Sequence, residues 1–304
     1  MAYVFGPVPS RRLGLSLGVD LIPLKTCTYD CLYCQVGRTT RQSLKIESFI
    51  PVTEILEELE RKLENCSPDA ITFSGSGEPT LSSDIDRVIS FVKERTDIKT
   101  VVLTNGSLLW QEDVRHRISG ADIIMPTLTT AFEETFRLIH QPHMDLDLDT
   151  IVGGLKSLRR TYKGNLFLEV VFLAGFNDSE KELEGLRSVI DQISPDKIQL
   201  NTVIRPPSDP RAISLDTKRL EEIKNLFGEK AEIIAQTPLT NRRWEDETAY
   251  ATILEMAKRR PVRARDVANV CDIPLEEADS LIKGLVVKGV LRQQEHEGEV
   301  YYMK

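Results

Sequence analysis

The chain has 304 residues, of which 41% are hydrophobic and 28% are charged, enough for one large domain and a smaller one. No apolar run reaches the roughly eighteen residues that span a membrane, and a net charge of −8 excludes a general attraction to nucleic acid while allowing local basic patches. The N-terminal residues do not resemble a signal peptide, and an odd number of cysteines does not suit a disulfide framework. We therefore expect a cytoplasmic protein without membrane contact.

The first part of the chain alternates between short apolar strands and amphipathic helices. An irregular lead-in with two prolines covers 5–12, and a first buried strand is predicted at 15–24. Further strands are predicted at 70–73, 100–103, 122–126, 165–173 and 197–203, and helices at 51–63, 84–95, 131–137, 149–162 and 179–193. This alternation predicts an α/β protein with a parallel sheet, in the form of a partial, TIM-like (β/α)6 barrel.

The last part of the chain has a different pattern. A proline-rich break at 206–210 precedes a helix at 217–227 and a short strand at 231–235, and the composition changes near residue 240. We therefore predict two domains, 1–240 and 241–304. Helices are predicted at 245–259, 263–270 and 275–288, followed by two strands around a polar turn at 296–298. Three short helices and a hairpin suggest a winged helix.

Three of the five cysteines, Cys27, Cys31 and Cys34, lie close together after the first strand. Three thiolates cannot complete a structural zinc site, which takes four N or S ligands. They can hold three irons of a four-iron cluster and leave the fourth iron without a protein ligand. Loops after the carboxyl ends of strands carry the sites of α/β proteins, and an open metal position is where substrate chemistry takes place. The sequence therefore predicts an open iron-sulfur site.

The CxxxCxxC spacing of these cysteines resembles the signature of the radical S-adenosylmethionine (SAM) enzymes. The resemblance implies a single 4Fe-4S cluster on Cys27, Cys31 and Cys34, with the amino nitrogen and carboxylate of SAM at the open iron. It further implies reductive cleavage of SAM to a 5′-deoxyadenosyl radical that abstracts hydrogen from a substrate, and an external electron donor such as flavodoxin or ferredoxin. Tyr33, which precedes the third cysteine, is then expected to lie against the adenine.

A glycine-rich motif after the second strand strengthens this resemblance. Its residues are Gly75, Ser76, Gly77, Glu78 and Pro79, similar to the GGEP motif with which the superfamily binds the amino group of SAM. Glycines allow positive φ and close approach of the backbone to a ligand, and Glu78 would add negative charge beside an ammonium. The alternative is an ordinary Gly-Pro turn. Because Gly-Ser-Gly replaces the first glycine pair of the motif, the contacting backbone atom stays open.

Four further polar residues are candidates for SAM contacts. Thr104 and Asn105 follow the third strand, as similar residues do in the superfamily, and could meet the carboxylate or ribose; the alternative is a strand-ending Asn-Gly turn. Glu169 and Asn201 lie in the fifth and sixth strands. Either could face the barrel interior toward ribose or substrate, with core hydrogen bonding as the alternative.

Three arginines are candidates for binding an anionic group of the substrate. Arg11 and Arg12 lie in the lead-in, and Arg205 follows the sixth strand. The alternative for each is a solvated surface charge, and this is the favoured interpretation for all three.

The remaining cysteines and histidines do not predict a second metal site. Cys66 and Cys271 have no neighbouring cysteines and are interpreted as small buried side chains. His140 and His143 flank a proline in a predicted loop without a nearby third ligand.

Residues 3–240 also resemble, more closely, a group of iron-sulfur oxidoreductases related to the tRNA wyosine synthase. Two departures weaken a transfer of that activity, because the chain has no second cysteine cluster and no strongly basic extension. An oxidoreductase or transferase that modifies tRNA or a protein is the favoured interpretation. The alternatives are an activase of a glycyl-radical enzyme and a redox regulator whose winged helix binds DNA, the latter disfavoured by the glycine-rich motif.

The partner of the C-terminal domain stays open between nucleic acid and protein. Arg259, Arg260, Arg263 and Arg265 precede or open its second helix and could meet phosphates. Acidic residues at the start of the third helix would repel them.

Overall fold

The computed structural model describes residues 3–234, 249–271 and 273–304. Its strands are β1 (Val4–Ser10), β2 (Gly14–Val19), β3 (Thr26–Cys27), β4 (Arg41–Gln42), β5 (Ala70–Phe73), β6 (Lys99–Thr104), β7 (Ile123–Pro126), β8 (Asn165–Phe172), β9 (Lys197–Thr202), β10 (Ala231–Ile233), β11 (Arg292–His296) and β12 (Glu299–Met303). Its α-helices are α1 (Val52–Asn65), α2 (Ile85–Arg95), α3 (Glu112–Ile118), α4 (Glu133–His140), α5 (Leu148–Thr161), α6 (Glu180–Ile193), α7 (Thr217–Phe227), α8 (Ala249–Arg259), α9 (Ala264–Cys271) and α10 (Leu275–Val287).

One eight-stranded sheet dominates the fold, with the order β1-β2-β5-β6-β7-β8-β9-β10. From β2 to β10 every neighbouring pair is parallel. Parallel neighbours need crossover connections, and α1 to α7 lie in those connections. The predicted α/β class with a mostly parallel sheet is therefore confirmed.

The strands are buried as a parallel sheet requires. All four residues of β5 and of β7 are buried, as expected for strands of a parallel sheet. Three of the helices begin at a side-chain cap, where Asp147, Ser179 and Asp216 accept the backbone N–H three residues further on. The helices on the sheet thus start at residues that the sequence specifies locally.

The lead-in was wrongly predicted to be irregular. It forms β1, which pairs antiparallel with β2 through a shift in register between Phe5 and Val8. Prolines are tolerated there because β1 is at the edge of the sheet. The turn-forming residues of this segment therefore hid a strand.

Two element boundaries also differ from the predictions, and one helix was not predicted. The first buried strand ends at Val19 instead of residue 24. His140 is the last residue of α4 and not part of a loop. The next residue, Gln141, caps the helix in a left-handed conformation with a φ of 43°. The short helix α3 was missed, because it has only two buried positions, Val114 and Ile118.

The C-terminal segment contains α8, α9, α10 and the β11–β12 hairpin, in the predicted order. The proposed boundary near residue 240 lies outside the described residues. Apolar side chains of the segment form a cluster of their own that also includes Val8 of β1. Tyr301 adds a hydrogen bond of 2.7 Å from its hydroxyl to the carbonyl of Ile204. Within the described ranges, no helix has both the length and the apolar character to cross a membrane.

Candidate functional site

The cysteine loop, which carries Cys27, Cys31 and Cys34, follows β2. Hydrogen bonds hold it to two other parts of the chain. The N–H of Leu32 donates to the carbonyl of Ile139 at 2.9 Å, at the end of α4. On the other side, the Ser208 hydroxyl is 2.7 Å from the carbonyl of Cys31, and the Asp209 N–H donates to the carbonyl of Leu32 at 3.1 Å. The backbone that carries the three thiols is thus held from both sides.

The three thiols share one electrostatic environment. Burial raises the pKa of Cys27 to about 12, and the nearby Glu78 carboxylate adds to the shift. The pKa of Cys31 is raised by burial and then by the charges that Cys27 and Cys34 carry as thiolates, and burial also raises the pKa of Cys34. A thiol in such a place becomes a thiolate when a metal compensates its charge.

The donor set of the site consists of the three thiols of Cys27, Cys31 and Cys34. Among the described residues, no three His, Cys, Asp or Glu side chains converge closely enough to hold one metal ion. An ion such as zinc draws its sulfur ligands to about 2.3 Å from one centre, whereas an iron-sulfur cluster takes its thiolates at separate irons. Cys27, Cys31 and Cys34 supply three thiol donors, the ligand type that a 4Fe-4S cluster takes.

The glycine-rich turn after β5 runs directly beside the strand of Cys27. The N–H of Glu78 donates to the carbonyl of Thr26 at 3.2 Å, and a Cβ on Gly77 would lie 1.7 Å from that oxygen. Gly75 has a φ of +127°, and a Cβ there would lie 2.8 Å from a carboxylate oxygen of Asp20. The glycines thus allow a close approach of the turn to the cysteine strand, and their predicted approach to SAM stays a prediction.

Glu78 joins the glycine-rich turn to the end of β6. Its buried carboxylate accepts hydrogen bonds from the N–H and hydroxyl of Thr80, the Thr104 hydroxyl and the Asn105 N–H, at 2.6–3.1 Å. Burial nevertheless raises its pKa, because these bonds only partly offset the cost of desolvation. Four protein donors thus already surround the carboxylate of Glu78. Its predicted contact with SAM stays a prediction.

The side chain of Asn105 reaches the cysteine loop. Its amide nitrogen lies 2.7 Å from the Thr28 hydroxyl and 3.5 Å from the sulfur of Cys27. Its amide oxygen accepts the N–H of Ser107 at 2.9 Å, which fixes the orientation of the amide. The structure therefore brings together the three predicted motifs: the cysteines, residues 75–79 and residues 104–105.

His140 is a residue of the site that the sequence did not reveal. Its Nδ1 lies 3.3 Å from the sulfur of Cys31, and its Nε2 lies 2.7 Å from the Thr129 hydroxyl. Burial lowers the pKa of His140 to about 3, so the ring is neutral. Tyr33, predicted to lie against adenine, packs edge-on against this ring with centroids 5.7 Å apart. No local signal marks this contact, since His140 and Cys31 are 109 residues apart.

Four further predicted residues form one polar group. Glu169 of β8 forms an ion pair with Arg12 and accepts a hydrogen bond of 3.1 Å from the amide of Asn201 in β9. Arg11 lies 3.5 Å from the amide oxygen of Asn201. Glu169 is also close enough to Tyr33 to raise the pKa of that hydroxyl, although burial has the larger effect. This group therefore lies close to the cysteine loop, on the side of Tyr33.

The favoured interpretation of Arg205 as a surface charge was wrong. Its side chain is buried, and one guanidinium nitrogen lies 3.2 Å from the amide oxygen of Gln35, the residue after Cys34. Burial lowers its pKa to about 9, with the positive charge of Arg260 as the second cause. The C-terminal segment covers Arg205. The hydrophobic periodicity of the preceding strands and helices does not reveal such a contact, and the interpretation failed for this reason.

The other two cysteines lie in different surroundings. The thiol of Cys66, after α1, donates to the carbonyl of Lys62 at 3.0 Å, and Cys271 packs against the apolar cluster of the C-terminal segment. Both are half-buried. The prediction that they are small buried side chains is therefore only partly correct.

Known proteins resemble this chain over most of its length. A protein from Brachyspira hyodysenteriae named GTPase Obg is 38% identical over 98% of this chain, and the chain spans 45% of that protein. A UPF0026 protein from Methanocaldococcus jannaschii is 34% identical over 100% of this chain and 96% of its own length.

The fold also resembles that of a solved enzyme. The structure of TYW1 with a lysine-pyruvate adduct bound has a TM-score of 0.54 and 18% sequence identity, covering 75% of this chain and 76% of the TYW1 chain. The family model of the radical SAM superfamily matches residues 21–186, which include the cysteine loop, the glycine-rich turn and Asn105. The protein is therefore a member of the radical SAM superfamily.

Proposed function

We propose that the protein is a radical SAM enzyme that holds one 4Fe-4S cluster on Cys27, Cys31 and Cys34 and binds SAM beside it. When bound, the cluster and SAM would supply a 5′-deoxyadenosyl radical for hydrogen abstraction. The observation that carries the proposal is the convergence of the cysteine loop, the glycine-rich turn and Asn105. The family match supports SAM-dependent radical chemistry in general.

The protein's own residues would prepare this site in three ways. Ser208 and the end of α4 fix the cysteine loop, so that the thiols are positioned before the cluster binds. Glu78 ties the glycine-rich turn to the end of β6, which leaves the backbone of residues 75–77 and the side chain of Asn105 as the groups proposed to contact SAM. Tyr33 and His140 would shield one side of the cluster from water.

The partial (β/α)6 barrel would place the substrate in the interior, near Glu169 and Asn201. We favour modification of tRNA or of a protein, with an external flavodoxin or ferredoxin as the electron donor. The helices and hairpin of the C-terminal segment suit a winged helix in their order, and this segment would contact the substrate or cover it. An activase of a glycyl-radical enzyme is the alternative.

The proposal is tested by forming the cluster anaerobically in the purified protein, reducing it, and measuring 5′-deoxyadenosine from SAM by chromatography. The wild type should form the product. Cys31→Ala should form none, because one iron loses its ligand. Cys66→Ala removes a thiol outside the site and should retain the activity. A wild-type protein with a full complement of iron and sulfide that forms no 5′-deoxyadenosine would contradict the proposal.

A further inference from the structure

Five arginines from three parts of the chain gather at the junction between the barrel and the C-terminal segment. They are Arg11 and Arg12 in the β1–β2 turn, Arg205 after β9, and Arg260 and Arg263 between α8 and α9. These residues are the arginine cluster. Their charges act on one another, since Arg205 and Arg12 both help to lower the pKa of Arg11, after burial as the main cause.

Only two carboxylates among the described residues form ion pairs with the arginine cluster. Glu169 pairs with Arg12, and the buried Asp266 pairs with Arg263 at 3.1 Å. Asp266 also attracts Arg205 and Arg260 at longer range. Within the described part of the chain, Arg11, Arg205 and Arg260 therefore have no ion-pair partner of their own.

Two of these side chains have buried nitrogen atoms without a hydrogen-bond partner. Arg205 is 8% exposed, and its Nε has no partner among the described residues. The same holds for one terminal nitrogen of Arg260. A buried donor without a partner has a free-energy cost, which is larger when the donor is charged. A fold that keeps several such donors together can recover this cost by binding an anion.

The arginine cluster lies beside the proposed radical site. Arg205 contacts Gln35, which follows the predicted cluster ligand Cys34, and Arg11 contacts Asn201 in the barrel. A cavity of about 940 Å³ between the cysteine loop and the C-terminal segment is lined by both Gln35 and Arg260. Further cations line this cavity, among them Lys25, Lys258 and Lys304. Cations outnumber the carboxylates of Asp20 and Glu255 in this lining, and the cavity meets the arginine cluster at Arg260, where an anionic ligand would reach it.

We propose that Arg11, Arg205 and Arg260 bind a phosphate group of the substrate. The proposal rests on the proposed function and adds the chemical class of its substrate. A carboxylate is satisfied by one planar guanidinium, as the pairing of Arg263 with Asp266 shows. Three guanidinium groups that belong to three separate segments suit instead an anion with three or four oxygens and more than one negative charge. The C-terminal segment supplies Arg260 and so completes the site.

The test measures binding of inorganic pyrophosphate to the cluster-loaded protein by calorimetry, at constant ionic strength. Wild type should bind it, and Arg205→Gln and Arg260→Gln should each weaken the affinity at least about tenfold, the loss expected for one charge-assisted hydrogen bond. Arg265→Gln is the matched control, because Arg265 is half-exposed and paired with Glu299 on the same segment. Its affinity should stay within about twofold of the wild type.

Three results would overturn the proposal: no binding to the wild type, acetate binding as tight as pyrophosphate binding, or an equal loss in Arg265→Gln. Thermal unfolding of each variant separates a lost site from a lost fold, and two independent variants guard against the failure of one. Competition by a nucleoside triphosphate and by bulk tRNA identifies the source of the phosphate, and displacement by either supports the proposal. Formation of 5′-deoxyadenosine without pyrophosphate binding would overturn this inference alone, whereas binding without that product would contradict only the proposed function.

Discussion

The site has a thiol side, formed by the cysteine loop, residues 75–79 and Asn105, and an arginine side, formed by the arginine cluster. The two sides differ in how their buried charges are satisfied. On the thiol side, the Glu78 carboxylate accepts four hydrogen bonds and links two loops. On the arginine side, Arg205 and Arg260 keep buried nitrogen atoms without partners among the described residues. A fully bonded charge fixes one geometry, whereas an excess of like charge is costly until a ligand neutralises it. The first arrangement suits a permanent cofactor and the second an exchangeable anion.

The strongest test of the thiol side is Gly77→Ala. The new Cβ would lie 1.7 Å from the carbonyl oxygen of Thr26, so the glycine-rich turn must move away from the strand that carries Cys27. We expect a loss of about 3 kcal/mol in the free energy of unfolding and a loss of most of the bound iron. Thermal unfolding and iron and sulfide analysis measure the two effects.

Gly153→Ala is the control for this substitution. Gly153 lies within α5, and a Cβ there meets nothing within 4 Å. The alanine should stabilise the protein by about 0.5–1 kcal/mol and leave the iron content unchanged. Equal iron contents in the two variants would show that the glycine-rich turn does not position the cysteine loop.

A smaller effect is expected for Glu78→Gln. The amide keeps the size of the side chain but replaces one acceptor oxygen with a donor, which would face a donor from Thr80, Thr104 or Asn105. We expect a loss of about 1–3 kcal/mol in the free energy of unfolding and a weaker affinity for SAM in equilibrium binding. Glu57→Gln, on the exposed face of α1, should change neither quantity. Wild-type stability in Glu78→Gln would show that the four hydrogen bonds do not fix the two loops.

The thiol side could be predicted from the sequence to the extent that its signals are local. The spacing of Cys27, Cys31 and Cys34 lies within one loop, and both Gly75–Pro79 and Thr104–Asn105 directly follow strands that periodicity reveals. Parallel strands bring their carboxyl ends to one edge, so the convergence of these segments follows from the fold class. The edge strand β1 was missed because its prolines imitate a loop.

The contacts that the sequence did not reveal join distant parts of the chain. His140 approaches Cys31 across 109 residues, and the bonds of Glu78 to the end of β6 cross 26 and 27 residues. The burial of Arg205 depends on the C-terminal segment, which follows the eight-stranded sheet in the chain. Helix and strand periods describe which face of an element is buried, but not which charged side chain another segment will cover.

On the arginine side, a small stabilising effect is expected for Arg205→Met. Methionine fills similar volume without charge. Among the described residues, Gln35 is the only side-chain acceptor that Arg205 leaves behind, and it is exposed to water. Asp266 keeps three hydrogen bonds from Arg263. Removal of one buried positive charge from the arginine cluster should therefore raise the free energy of unfolding by about 1 kcal/mol in phosphate-free buffer.

Arg263→Met is the matched comparison for Arg205→Met, since it removes the same type of side chain from the same cluster. Here the buried Asp266 loses its ion pair, and the free energy of unfolding should fall by about 3–5 kcal/mol. Urea unfolding of both variants measures the two values. If Arg205→Met is destabilised as strongly as Arg263→Met, Arg205 is a structural ion-pair partner. A stabilised Arg205→Met means instead that the fold tolerates an unfavourable charge next to the cysteine loop, as expected when that charge is kept for a ligand.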